Sequence, residues 1–64
     1  MNLYEYVNKK IKVNLIEGEI LIGKCLDYTK AIENDPEIAS IDLKVKKDIY
    51  EVFENEIESI EIID

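Results

Sequence analysis

Apolar and polar residues alternate at period two along most of this chain, and each such stretch predicts a strand. Ile11, Val13 and Leu15 alternate with Lys12 and Asn14, the pattern of a strand with one buried face. Ala39, Ile41, Leu43 and Val45 alternate with Ser40, Asp42 and Lys44, which predicts a strand over 39–45. A fourth strand is predicted over 49–54, apolar on both faces through Ile49, Tyr50, Val52 and Phe53. A fifth is predicted over 57–63, with Ile60 and Ile62 facing one way and Glu61 the other. The longest segment, Ile20–Thr29, follows the first strand. Its apolar members, Ile20, Ile22, Cys25 and Leu26, change phase at Gly23. A glycine at a phase break predicts a bulge or a sharp bend, so that one strand serves two sides of a barrel.

The connections are short. Glu17-Gly18-Glu19 is a one-glycine turn, Lys46-Lys47-Asp48 a second turn, and Asn55-Glu56 a brief break of one helical turn. Residues 30–37 form the one clear loop, where Asn34-Asp35-Pro36 is strong turn chemistry because proline fixes its own φ and restrains the residue before it. Before the first strand, 2–10 predicts a short α-helix. Asn2 is placed to cap it with Glu5 three residues later, Leu3 and Val7 share a face, and Lys9 and Lys10 suit the negative end of the helix dipole. Two turns of helix are marginal alone, so this element is expected to pack on an open barrel end. The expected fold is mainly β: a short N-terminal α-helix followed by a five-stranded, strongly bent antiparallel SH3-like barrel, in a single domain over 1–64.

Composition narrows the function. Eight basic residues stand against fifteen acidic ones, a net charge of −7. Nucleic-acid affinity comes largely from cations that displace counterions from phosphates, so the charge favours a basic protein partner or a cationic ligand, or simply keeps a small domain soluble. No apolar run approaches the length of a membrane span, and the N-terminus lacks the order of a signal peptide. Cys25 is the only cysteine. Together these lead to an expectation of a cytoplasmic protein without disulfides.

The spacing Ile11-x-Val13-x-Leu15-x-x-Gly18-x-x-x-x-Gly23-x-Cys25-x-x-Tyr28 resembles the first motif of the Sm-like (LSm) domain family. The segment Val52-Phe53-Glu54-Asn55-Glu56-Ile57-Glu58-Ser59-Ile60 resembles the second. With the N-terminal segment the likeness covers nearly the whole chain, and it is nearest to the small stand-alone bacterial members with an acidic proline loop. The resemblance implies a bent five-stranded sheet whose fold depends on Gly18 and Gly23, and whose fourth and fifth strands pair between neighbours in a ring. It also implies an RNA or ligand loop at Tyr28, Thr29, Lys30, Glu33 and Asn34, and second-motif positions at Phe53, Glu54 and Asn55. This chain departs from that pattern. Thr29 stands where the family usually has aspartate, Glu33 where it has asparagine (Asn34 is one place off), and Phe53-Glu54 where it has arginine-glycine. The cation that meets phosphate or base is missing.

Other chemistry is thin. There is no histidine, no nucleophile elbow and no phosphate loop. Glu33, Asp35 and Glu37, with Asp27 nearby in sequence, match no calcium loop, and an exposed loop does not raise a carboxylate toward general acid work. Cys25, mid-strand, reads as a small hydrophobe. Tyr28 reads as core packing, with base stacking as the alternative. Two apolar faces on the fourth strand suggest contact with another subunit or the helix. The expected function is a non-catalytic, cofactor-free and metal-free binding or scaffolding module, homo-oligomeric through strand edges, with a protein partner. The alternative is an RNA-binding protein that uses another surface, through Lys44, Lys46 and Lys47.

Overall fold

The computed structural model describes residues 1–63. Five antiparallel strands form one sheet: β1 (Lys10–Leu15), β2 (Ile20–Thr29), β3 (Ser40–Val45), β4 (Asp48–Phe53) and β5 (Ile57–Ile62), in the spatial order β4-β3-β2-β1-β5. Three short 3-10 turns complete the secondary structure, at Leu3–Tyr6, Ala31–Glu33 and Glu54–Glu56. None is long and apolar enough to cross a membrane. The strand boundaries fall within one residue of those the alternation predicts.

Lys24 is the hinge of the sheet. Through Lys24 and the residues before it, β2 pairs with β1 (Lys10↔Lys24 to Asn14↔Ile20). From Lys24 onward it pairs with β3 (Lys24↔Lys44 to Thr29↔Ser40). One long strand therefore serves two sides, as its length predicts. Gly23 permits this. A Cβ there would run into the carbonyl oxygen of Lys44, with the Lys44 carbonyl carbon at 2.8 Å and a Val45 methyl at 3.2 Å. Backbone meets backbone at this point, and only a residue without a side chain fits. Gly18 serves differently: it sits in the β1–β2 turn at φ +102°, and its N–H donates to the Leu15 carbonyl at 2.9 Å.

Three expectations are corrected. The irregularity in β2 lies between Cys25 and Asp27, so Leu26 and not Gly23 marks the phase change. Leu21, Gly23 and Cys25 consequently take the inward phase, and Ile20 and Ile22 are exposed. The N-terminal segment is not an α-helix. Only Leu3–Tyr6 coils, as a 3-10 turn, and Lys10 already belongs to β1. Asn2 makes no cap; its side-chain amide instead donates to Glu5 Oε2 at 3.1 Å. Leu3 nonetheless fills the packing role foreseen for a helix: it is 2% exposed and joins the core, and its turn lies against β2 and β3. Finally, β4 and β5 are the two edges of the sheet and do not pair with each other, so the sheet is not closed.

The core is small: Leu3, Ile11, Val13, Cys25, Ile41, Leu43, Val52 and Ile57, with Tyr6, Val7, Leu15, Leu21, Tyr28, Ala39, Val45 and Ile60 packed around it. Every strand contributes from its inward phase, which explains how so short a chain gathers one contiguous cluster. Burial pushes the Cys25 thiol above its ordinary pKa, and the charges of Asp42 and Asp27 add to this. It is a packed thiol with no solvent exposure, and the raised pKa disfavours the nucleophilic thiolate.

Gly23→Ala is expected to lower stability by about 3 kcal/mol or more, the upper range for overpacking, because backbone cannot step aside as a side chain does. Gly18→Ala, which meets no atom within 4 Å, is expected to cost only about 1–2 kcal/mol of backbone strain. Urea denaturation of both variants checks the order.

Candidate functional site

The two groups of residues singled out by motif come together at one end of the sheet. Thr29 of β2 lies opposite Ser40 of β3, and Ser40 lies opposite Phe53 of β4. The N–H of Glu54 donates to the carbonyl of Ala39 at 2.8 Å. The loop after β2 and the turn after β4 are thus neighbours, with the start of β3 between them. Within this cluster Lys30, Glu33 and Asn55 are exposed, while Thr29, Phe53 and Glu54 are half-buried. Tyr28 is half-buried against the core, its ring edge-on to Tyr4 at 6.1 Å between centroids. That is the packing role, and its backbone N–H is held by Asp27 Oδ1 at 2.8 Å.

Asn34 is occupied internally. Its side-chain amide donates to the Ile38 carbonyl at 2.7 Å and to Ser40 Oγ at 3.1 Å. Ser40 is the one fully buried polar residue among those described, and its hydroxyl donates onward to Glu51 Oε2 at 2.8 Å. The loop that contains Asp35, Pro36 and Glu37 is fastened to β3 and β4 by this relay from amide to hydroxyl to carboxylate. Asn34 is therefore a structural anchor rather than a free ligand-reading amide.

Beside the relay lies a feature that alternation alone does not reveal. Asp27 of β2 is opposite Asp42 of β3, and Asp42 is opposite Glu51 of β4. Directly paired residues project to the same face, so three carboxylates form a row across three strands. Asp42, in the middle, has its pKa raised above the ordinary 3.8 by burial first, then by the charges of Glu51 and Asp27. Among the described residues no group of three or more acidic or cysteine side chains is placed to hold a metal ion. The loop carboxylates Glu33, Asp35 and Glu37 belong to no such group either.

The next row on the same face is opposite in sign. Lys10 of β1 faces Lys24 of β2, and Lys24 faces Lys44 of β3. Lys9, Lys12, Lys46 and Lys47 all lie within three residues of a member of this row, and Lys30 is the only lysine elsewhere. In a chain of net charge −7, nearly all the positive charge is gathered in one band. Lys24 and Lys44 are on alternation-predicted strands, but their pairing depends on the bulge at Leu26, so neither row is visible without the register.

Searches against family models, curated proteins and solved structures found no match to this chain.

Two predictions follow from the relay and the acidic row. Ser40→Ala takes from Asn34 one of its two acceptors, leaving the Ile38 carbonyl, and removes the hydroxyl that donates to Glu51; it is expected to cost about 1–3 kcal/mol in thermal or urea unfolding. Asp42→Asn removes the central charge and is expected to stabilise the fold near neutral pH by a few tenths of a kcal/mol or more. The folded state holds the Asp42 proton more tightly than the unfolded chain does. The wild type therefore gains stability relative to Asp42→Asn as pH falls through the raised pKa, and the gain is complete below 3.8. Difference curves of unfolding free energy against pH for the two proteins measure this.

Proposed function

We propose that this chain is an Sm-like, SH3-type open barrel acting as a non-catalytic binding or scaffolding module, homo-oligomeric and with a protein partner. The observation that carries the reading is the pair of free edges. β4 and β5 close opposite ends of the strand order, and each bears exposed apolar side chains, Ile49 and Tyr50 on β4, Ile62 at the end of β5 and Ile63 beyond it. An unpaired edge flanked by apolar residues is a template for another strand, and no lysine or proline blunts the interior of either strand. The β4 edge of one copy accepting the β5 edge of the next would satisfy both. The change of partner at Lys24, the close approach at Gly23 and the motif spacing around Gly18 and Gly23 support the same assignment. The acidic balance supports a protein rather than a polyanion as the wider partner, and a cytoplasmic setting agrees with the single buried thiol.

A second reading, binding of single-stranded RNA at a surface other than the usual inner site, is favoured by one observation, the Lys10–Lys24–Lys44 row with Lys46 and Lys47 beside it. Cross-strand neighbours stand about 5 Å apart, close enough to follow a sugar-phosphate backbone. The adjacent carboxylate row and the overall charge oppose it.

Each copy carries −7, so assembly is expected to strengthen as salt screens the repulsion, and Tyr50→Glu is expected to abolish it. Light scattering and native mass spectrometry across a salt series check both; a monomer at every salt concentration ends the oligomer reading. The RNA reading requires affinity for oligo-U or oligo-A that falls steeply with salt and is lost in Lys24→Glu/Lys44→Glu. Absence of binding at low salt ends that one.

A further inference from the structure

The surface beside the β1–β2 turn sinks into a cavity of about 370 Å³, lined by Leu15, Ile16, Glu17, Glu19, Asn55 and Glu56. Its walls are held by backbone hydrogen bonds. Leu15 N–H donates to the Glu19 carbonyl at 2.8 Å, and Ile16 N–H donates to the Glu56 carbonyl at 2.9 Å, which ties the turn to the 3-10 turn that precedes β5. Glu56 is fixed further, its Oε1 accepting from the Phe53 N–H at 3.0 Å. The lining thus combines two aliphatic side chains, one amide and three carboxylates, and no lysine. The lysine band lies toward the opposite end of β1, at Lys9 to Lys12. Around the mouth the apolar surface continues outward. Ile16, one of the lining residues, is 61% exposed, an apolar side chain beside carboxylates, as at sites where proteins meet.

A lining of aliphatic residues and carboxylates selects a group with an alkyl stem and a cationic head. Lysine and arginine side chains are built that way, their methylenes packing on apolar surface while the charged end finds an anion. The volume admits such a side chain together with part of its backbone. We propose that this cavity receives a lysine or arginine side chain from an extended, basic segment of a partner protein, with Ile16 covered by that segment's neighbouring apolar residues. The proposal rests on the reading of the chain as a module with a protein partner, and names the partner's chemistry and its place of contact. It uses neither sheet edge, so partner docking and assembly of copies are independent.

The test is fluorescence polarisation with a labelled peptide of alternating lysine and leucine, against a control peptide with glutamate in place of lysine. The cationic peptide is expected to bind and the acidic one not, with affinity falling as salt rises. Glu17→Gln/Glu19→Gln, which changes two exposed turn residues and no hydrogen-bonded backbone group, is expected to weaken binding roughly tenfold, the loss of two charged contacts at a partly wet rim. Ile16→Ser is expected to weaken it also, while the melting temperature of both variants stays near the wild type. Amide shifts on binding are expected to centre on 15–19 and 54–56. No binding of the cationic peptide, equal binding by Glu17→Gln/Glu19→Gln, an equal loss in the control variant Glu33→Gln/Glu37→Gln, or shifts centred on Asp27, Asp42 and Glu51 would each overturn the proposal. Salt-dependent assembly measured on the same variants separates the two ideas. Assembly with unchanged peptide binding in Glu17→Gln/Glu19→Gln removes the docking site and leaves the module; absence of assembly removes the oligomer whatever the peptide does.

Discussion

The close approach of the Lys44 backbone to Gly23 is the constraint on which the rest of this small sheet depends. Lys24, the next residue, is paired with both β1 and β3, and Cys25 after it is bonded to Asn8 and Lys9 on one side while it faces Leu43 on the other. At that point β3 must come in where β1 is leaving, and the two sets of contacts overlap only at Lys24 and Cys25. A Cβ at position 23 would hold β3 away, separating Ile41 and Leu43 from Ile11 and Val13. The core has few members, so it has no second cluster on which to fall back. A domain of this size buries only about 60% of its unfolded surface, and losing the contact between its two halves would remove a large share of it.

The same geometry arranges the charges. Because the sheet continues unbroken from β1 through β4, residues of like sign at matching places on successive strands become rows: Lys10, Lys24 and Lys44 in one, Asp27, Asp42 and Glu51 in the next. Like charges directly opposed weaken strand pairing, so each row is a strain within itself and an attraction toward its neighbour. The carboxylates of Glu17, Glu19 and Glu56 stand apart from both, at the far end of β1. Net charge alone describes a uniformly acidic particle. The fold instead separates a basic band, an acidic row and an acidic, partly apolar hollow, three surfaces of different charge and polarity.

Much of the fold is legible in the residue pattern. Alternation at 11–15, 39–45 and 57–63 marks strands because one buried face imposes period two, and the turns at Gly18 and after Val45 fall where glycine and charged residues interrupt it. Two features escape it for physical reasons. Leu3 and Val7 read as one helical face, with Lys9 and Lys10 at the negative end of its dipole, yet the segment is too short to repay helix nucleation, and packing Leu3 into the core needs only a single turn. In β2, isoleucines at 20 and 22 look like core, but the inward phase belongs to Leu21, Gly23 and Cys25, and the irregularity falls at Leu26, three residues beyond the glycine. Of the site residues inferred from motif, Tyr28 and Asn34 are absorbed into packing and loop anchoring. The lysine and carboxylate rows depend on which residue meets which across strands, information absent from any single strand.

The Ser40 hydroxyl gives the loop between β2 and β3 a mechanical property. It accepts from Asn34 and donates to Glu51, and of the small side chains only a hydroxyl does both from one atom. The proline-bearing loop is thereby coupled to an edge strand it never follows in sequence. Two hydrogen bonds in series therefore separate the Glu51 carboxylate on the edge strand from the Asn34 amide in the loop, and the position of one constrains the position of the other.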